Sequence, residues 1–464
     1  MLVTSRLFNI LIMFVSGMAV GLLAPGARAN ESWSLVHSEV NRGNAVMSLS
    51  AIDGNTAWAV GISKQGSSQT PAGWRTINGT DWGYMSLPSG TGGAMQYTIP
   101  TQVAFLDANT GWMSGMRVAP MTGQENLIWR TTSAGMGWDE LYQAPEEILH
   151  LQVTHDWAMF AVGGSTVVRT QDGATFVESK PTLPSGMGLV GIQMFNKDCG
   201  YAVAAPTEEK SLGYAVLWTS DGAETWSTRS QGHDLRFRRV YFISPTQGWA
   251  VGTRGNEGVL AKTTDGAKTW TFAKAPAHPP FFNQEPAVTR CEDVRFFDDQ
   301  RGVALCLCCT GNCEPEEGQS PSYLTSLLRT YDGGQTWSMD MDYEAKMAVP
   351  PFPEMSKASG MLTMSFPDPN HGFMAGQNNI ILRYEASQPE AEAWPAASCE
   401  SSSGTGGTGT GGVSQGSDTP SEDKQNEKDE GGCGCRVAPS SRSPLTALLF
   451  GIALLCRRRR TNLS

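Results

Sequence analysis

YFISPTQGWAVG (241–252) runs as an apolar strand, a polar turn, then Gly-aromatic and a second apolar strand. Two apolar runs around a turn of Ser, Pro, Thr, Gln and Gly read as a β-hairpin. The pattern recurs as AIDGNTAWAVG (51–61), AFLDANTGWMSGM (104–116), LQVTHDWAMFAVG (151–163) and QMFNKDCGYAVA (193–204), and again as RFFDDQRGVALC (295–306) and SFPDPNHGFMAG (365–376). That makes seven copies. Taking the aromatic or Val303 as marker gives Trp58, Trp112, Trp157, Tyr201, Trp249, Val303 and Phe373, at intervals of 54, 45, 44, 48, 54 and 70 residues. A period in this range, built from short strands, is that of four-stranded propeller blades with variable loops.

A second motif sits between the copies. TSDGAETW (219–226), TTDGAKTW (263–270) and TYDGGQTW (330–337) are strong Asp-boxes, and TQDGATF (170–176), TTSAGMGW (131–138) and INGTDW (77–82) are degraded ones. The carboxylates of Asp172, Asp221, Asp265 and Asp332 can accept backbone N–H groups across the turn, and the Gly supplies φ > 0. Trp226, Trp270 and Trp337 then open the next strand and bury a large apolar area between blades. Each box is expected to be a structural hairpin between the third and fourth strands of a blade. Seven hairpins face only six boxes, because IILRY (380–384) ends the last repeat with no box after it. ESWSLVHSE (31–39) reads like the strand that follows a box, with Trp33 standing where Trp226, Trp270 and Trp337 stand. The expectation is an all-β, seven-bladed propeller over 30–386, closed by the N-terminal strand joining the last blade. Such closure leaves no long strand edge exposed.

The pairing of Asp-boxes with a F-x-D-x-x-x-G-W-A-V-G strand resembles the photosystem II stability and assembly factor family of propellers. More distantly it resembles the sialidase, sortilin and xyloglucanase propellers. The resemblance covers about 31–386, is specific for fold, and says little about activity, since one scaffold hosts many functions.

Both chain ends read as targeting segments. Arg6, the apolar run Leu7 to Leu23 and Ala27-Arg28-Ala29 form a signal peptide over 1–29, the alternative being a permanent anchor. Residues 387–432, including GTGGTGTGG and SEDKQNEKDE, cannot bury apolar surface and read as a disordered stalk. Cys433-Gly434-Cys435, an apolar run from Pro444 to Cys456 and Arg457 to Arg460 follow, within 433–464. The run's thirteen residues, rising about 1.5 Å each, cover about 20 Å, short of a roughly 30 Å hydrocarbon core. The layout resembles the myxobacterial type of C-terminal sorting tag, with Cys motif, short transmembrane helix and arginine cluster. That resemblance implies processing at Cys433 or Cys435 and retention at the cell surface; a plain inner-membrane tail anchor is the alternative. A net charge of −11 argues against nucleic acid, whose phosphates need a basic face.

The box turns and DPNHG-type turns are short and share one face. The long connections gather on the other: 62–73, 117–127, 205–215 and 307–326 within blades, and 88–101, 273–290 and 341–360 between them. Long loops on a rigid scaffold mark the expected binding face. Cys291, Cys306, Cys308, Cys309 and Cys313 lie there, and export favours disulfides. Cys291 with Cys306 or Cys308 suits neighbouring antiparallel strands, and Cys199 or Cys399 can take up a remainder. A soft-metal cluster is the alternative, though the C-x-C-C spacing lacks the paired C-x2-C of zinc sites. No metal and no cofactor is expected.

LRFRRVYF (235–242) carries Arg236, Arg238 and Arg239, with Arg229 and Arg254 nearby in sequence. Simple alternation sends Arg236 and Arg238 one way and Arg239 the other. The resembled family implies that such arginines hold membrane-protein partners; solvated surface charge is the plainer reading. Catalysis finds little support. No R-I-P segment of the sialidase class occurs, Asp107 and Asp298 suit turns better than an opposed xyloglucanase pair, and His150 and His155 are out of register for one strand face. The reading is a non-catalytic, monomeric, surface-displayed binding propeller for an extracellular or envelope protein or glycan. The alternatives are a glycoside hydrolase of Asp-box type and a photosystem assembly factor.

Overall fold

Each hairpin motif builds the first two strands of a four-stranded antiparallel sheet, and seven such sheets form. The structure, a computed structural model, describes residues 31–39, 45–65, 68–88, 97–119, 123–208, 210–276, 287–309, 323–341, 343 and 361–386. The segments expected to be signal peptide, stalk and sorting tag, with Cys433 and Cys435, as well as Cys313, Cys399 and much of the connections 88–101, 273–290, 307–326 and 341–360, lie outside the described residues.

Six sheets follow chain order from the innermost strand outward. The seventh is composite: Met361–Asp368, His371–Gly376 and Ile381–Ala386 are completed by Glu31–His37. Trp33 pairs with Tyr384, Ser32 with Glu385 and Leu35 with Leu382 in antiparallel register. Blade seven is therefore closed by the first strand of the chain.

A buried apolar cluster fills each of the seven seams between neighbouring blades. Three seams share one aromatic device. The motif aromatic of one blade stacks on a Phe ending the next blade's innermost strand: Trp58 on Phe105 (3.6 Å), Tyr201 on Phe242 (3.7 Å) and Trp249 on Phe296 (3.4 Å). The Trp after the next box meets that Phe edge-on, as Trp138, Trp270 and Trp337 do. Trp33 meets Phe366 in the same edge-on way, so it fills the position of a box Trp in blade seven. Stacked and T-shaped rings add to the area they bury and fix the angle between sheets.

In blade three the marker differs from the sequence reading. Gln152 pairs with Phe160, as Tyr241 pairs with Trp249 in blade five, so Phe160 is the equivalent aromatic. Phe160 is fully buried, whereas Trp157 lies in the preceding turn, 49% exposed with φ 70°. The turn has the same length as in blade five, with five residues between Val153 and Met159 as between Phe242 and Gly248. Trp157 stands inside it, and Met159 takes the place of the motif Gly, so the Gly-aromatic signal is missing.

The last residue of the motif has a backbone reason. Each innermost strand of blades one and five bulges opposite it, between Val46 and Ser48 and between Phe237 and Arg239. A Cβ on Gly61 would stand 2.0 Å from the Ala45 carbonyl oxygen, and one on Gly252 1.9 Å from that of Arg236. Only glycine permits this approach. Blade six places Cys306 there instead, opposite Cys291, and the two form a disulfide. Of the two partners open to Cys291 in sequence, the bulge selects Cys306. The Cys308 sulfur lies 3.3 Å from the Ser326 hydroxyl, Cys309 ends the same strand, and Cys199 is also disulfide-bonded.

Two expected long loops are strand instead. Blade one runs Ala57–Gln65 into Ser68–Thr76, and blade two Gly111–Ala119 into Gly123–Thr131. The described residues of 62–73 and 117–127 thus extend hairpins rather than form loops.

The box turns are held locally. Asp172 Oδ1 accepts the N–H groups of Ala174 and Thr175, Asp221 Oδ1 those of Glu224 and Thr225, and Asp265 Oδ1 those of Lys268 and Thr269. Asp332 accepts from Thr336. In the degraded copy of blade one, Asn78 Oδ1 accepts from Thr80 and Asp81, an amide oxygen serving for the carboxylate. These bonds hold the four carboxyls below their ordinary range, Asp221 to about 2, against an opposing push from desolvation.

Candidate binding site at the central channel

The innermost strands of all seven blades contribute to one cavity of about 220 Å³ at the propeller axis. Its wall is uneven. Blades seven and one supply Leu362 and Met47, whereas blades five and six supply Arg236, Arg238, Arg239, Glu292 and Asp293.

The bulge decides where the arginines go. Arg238 is the extra residue: Phe237 faces Gly252 and Arg239 faces Val251, with nothing opposite Arg238. Phe237, Val240 and Phe242 therefore share the seam with blade four. Arg236, Arg238 and Arg239 all line the axial cavity, not two on one side and one on the other as alternation predicts. One extra residue resets the period of two.

Each guanidinium is tied into the wall. Arg236 Nη1 donates to the Glu208 carbonyl at 2.9 Å, securing the connection inside blade four. Arg239 Nη1 donates to the carbonyls of Val190 and Arg238. Arg238 lies 3.4 Å from the Glu292 carboxylate, whose other oxygen is 2.6 Å from Arg290. Sequence reading missed Glu292, Asp293 and Arg290; the signal was their position in the innermost strand Ala287–Phe296, flanking Cys291 at the blade-six bulge.

Burial sets the protonation of this group. It raises the Asp293 carboxyl to about 6, with Arg239 pulling the other way. Burial likewise lowers the Arg239 guanidinium, opposed by Asp293 and Glu292. His150 accepts the Ile192 N–H at Nδ1, and burial and then Arg239 hold its pKa well below the ordinary value. It is a neutral wall residue with its remaining proton on Nε2. The cavity wall sets the three guanidinium groups of Arg236, Arg238 and Arg239 against the two carboxyls of Glu292 and Asp293, a local cationic excess in a chain whose net charge is −11.

The other two arginines named from sequence do not join. Arg254 lies over the Phe272 ring at 4.8 Å and pairs with Asp234 at 2.9 Å, at the rim of the long-connection face. Arg229 lies over Trp218 at 5.5 Å on the outer strand of blade four. Their nearness in sequence is lost because each strand of a blade sits at a different radius.

Two Tyr–Glu contacts lie away from the axis: Tyr84 with Glu39 at 2.6 Å, and Tyr142 with Glu178. Both phenols are shifted upward, Tyr84 chiefly by its bond to Glu39 and Tyr142 chiefly by desolvation. A phenol meant to attack would need the opposite shift. Among the described residues, no group of three or more His, Cys, Asp or Glu side chains is placed to hold a metal, and no helix is long and apolar enough to cross a membrane.

No family model matches the chain, and no curated protein matches it. Solved structures do. One described as YCF48 bound to D1 peptide aligns with a TM-score of 0.51 at 17% identity, over 76% of this chain and 97% of that one. YCF48 from Cyanidioschyzon merolae gives 0.49 at 17% identity, over 76% and 98%. The GH74 xyloglucanase from Xanthomonas campestris gives 0.48 at 14% identity, over 75% of this chain and 53% of that one. At such identities the likeness is one of fold.

Proposed function

We propose that this chain is a non-catalytic binding propeller, exported and displayed at the cell surface on a flexible stalk, that takes an acidic segment of a protein partner at its channel mouth. The observation that carries this reading is the gathering of Arg236, Arg238 and Arg239 at the axis by one bulge, in a protein of net charge −11. A cationic concavity on an acidic body selects anionic ligands and steers their approach. The YCF48 propeller described with a D1 peptide supports a peptide as the form of ligand; the partner itself is not carried over. Surface display rests on the two chain ends.

Hydrolysis of glycosides is the weaker reading. Glu292 and Asp293 are consecutive residues of one strand, Glu292 is engaged by Arg238 and Arg290, and Asp293 is buried beside Arg239. A hydrolase needs two carboxylates facing each other across the scissile bond.

The test is fluorescence anisotropy of labelled acidic, neutral and basic decapeptides with the full-length chain. Acidic peptides should bind with an affinity that falls as salt rises, and Arg238→Glu should weaken them about tenfold or more. Equal binding of all three peptides, or no change in Arg238→Glu, would remove the axial site. Release of reducing sugar from a glycan, abolished by Glu292→Gln, would install the hydrolase instead.

A further inference from the structure

A second cavity, of about 460 Å³, opens at the seam between blades one and two, away from the axis, with Leu87, Arg117, Trp129, Trp138, Asp139 and Glu140 among its lining residues. Internal repetition shows what is unusual there. After the boxes of blades four and five, the Trp indole N–H donates to a serine on the preceding blade: Trp226 to Ser179 at 3.4 Å and Trp270 to Ser230 at 3.0 Å. Trp138 holds the same position in blade two, edge-on to Phe105. Its Nε1 is buried and meets no acceptor among the described residues. The equivalent stretch of blade one is Trp82-Gly-Tyr-Met-Ser86, and Met85, 6% exposed, packs into this seam beside Trp138. Trp82 shares the unmet N–H but does not line the cavity.

A buried donor without a partner is costly unless something in the cavity accepts from it. The other polar groups are arranged for hydroxyls. Arg117 is clamped between Glu125 at 2.7 Å and both oxygens of Glu140, so its guanidinium is fixed in place. Asp139 and Glu140 are exposed. One arginine against Glu125, Asp139 and Glu140 leaves the site net negative, which disfavours phosphates, uronic acids and carboxylate ligands. Indole surface, an indole donor, the exposed Asp139 carboxylate and the Arg117-held Glu140 carboxylate together match the apolar faces and hydroxyl edges of a neutral sugar.

We infer that the blade-one/blade-two seam is a subsite for a neutral saccharide, distinct from the axial peptide site and independent of it. The Trp138 indole N–H donates to a sugar oxygen, and Asp139 and Glu140 accept from hydroxyls. The test is isothermal titration and saturation-transfer NMR of the full-length chain with glucose, galactose, N-acetylglucosamine and their short β-linked oligomers, beside glucuronic acid. At least one neutral sugar should bind in the millimolar range or tighter, and glucuronic acid should not. Trp138→Phe keeps a ring against Phe105 while removing the N–H, and should weaken that sugar about fivefold, the worth of one hydrogen bond. Asp139→Asn and Glu140→Gln, on exposed side chains, give a second readout should Trp138→Phe not fold, and each should weaken binding severalfold. Absence of binding by every neutral sugar, stronger binding of glucuronic acid, or unchanged affinity in all three variants would overturn the assignment. Retention of sugar binding in Arg238→Glu separates this site from the axial one.

Discussion

Blade five is one continuous run, from Arg236 to Ala273, whereas blade seven is assembled from both ends of the folded region. Both reach four antiparallel strands. Blade five holds its outer strand through the turn at Asp265, whose carboxylate bridges two backbone N–H groups. Blade seven has no such turn, and longer-range contacts do its work. Trp33 sits at 4% exposure among Phe366, Tyr384 and Tyr343, and its indole N–H points at Asp340 of blade six at 3.3 Å. Asp340 is 3% exposed and pairs with Arg329 at 2.7 Å, while Arg329 lies over the Tyr384 ring. At the strand's far end, Glu39 accepts from Tyr84 and Trp74 of blade one and from Asn379 of blade seven. A turn closes a short loop at little entropic cost; a strand returning across the whole chain needs buried anchors to offset a longer loop.

Removing those anchors should therefore hurt blade seven more than the same chemistry hurts blade five. Trp33→Ala carries the largest expected effect, about 3–5 kcal/mol from cavity formation and lost burial. Hydrogen exchange should show its loss first in Ile381–Ala386, the strand it covers. An exchange pattern spread evenly over all seven blades would mean that closure is not a separate step.

Next comes Asp340→Asn, which leaves the Arg329 charge buried without its counter-ion and should cost about 3 kcal/mol. Urea unfolding of this variant and of Asp340→Asn with Arg329→Met would show partial recovery in the double variant if the charge is the cause.

Glu39→Gln keeps the shape but gives up charged acceptance from three donors, for an expected loss of about 1–2 kcal/mol. Its effect should shrink to what the Asn379 bond alone contributes when Trp74 and Tyr84 are both Phe, which a mutant cycle measures.

The smallest change is expected in blade five. Asp265→Ala should cost no more than about 1 kcal/mol, because the turn is solvent-screened. The pH sign follows from the lowered carboxyls of the box turns: with an unfolded value of 3.8 and Asp221 at about 2, their contribution is complete above pH 4 and lost as pH falls toward 2. An acid melt of Asp265→Ala should be flatter than wild type over that interval; parallel curves would show that the carboxylate does not act through its charge.

The contrast also explains what could be read early. The repeat, the blade count and the role of Trp33 were legible because each rests on a local pattern repeated several times, so one copy explains another. Trp157 misled because it stands inside a turn of ordinary length while Met159 replaces the motif Gly, and the aromatic that packs is Phe160. The channel wall was only half legible. Its arginines are contiguous in sequence, but Glu292, Asp293 and His150 come from other blades and carry no motif.

The amino-acid order by itself determined a seven-fold wheel and the strand that closes it, because hairpin periodicity and turn chemistry act within a few residues. Tertiary structure alone decided the direction of Arg239, the choice of Cys306 as partner of Cys291, and the meeting of charges at the axis. Each depends on a bulge or on radial position, where one added residue or one strand's displacement outweighs the alternation of side chains along the chain.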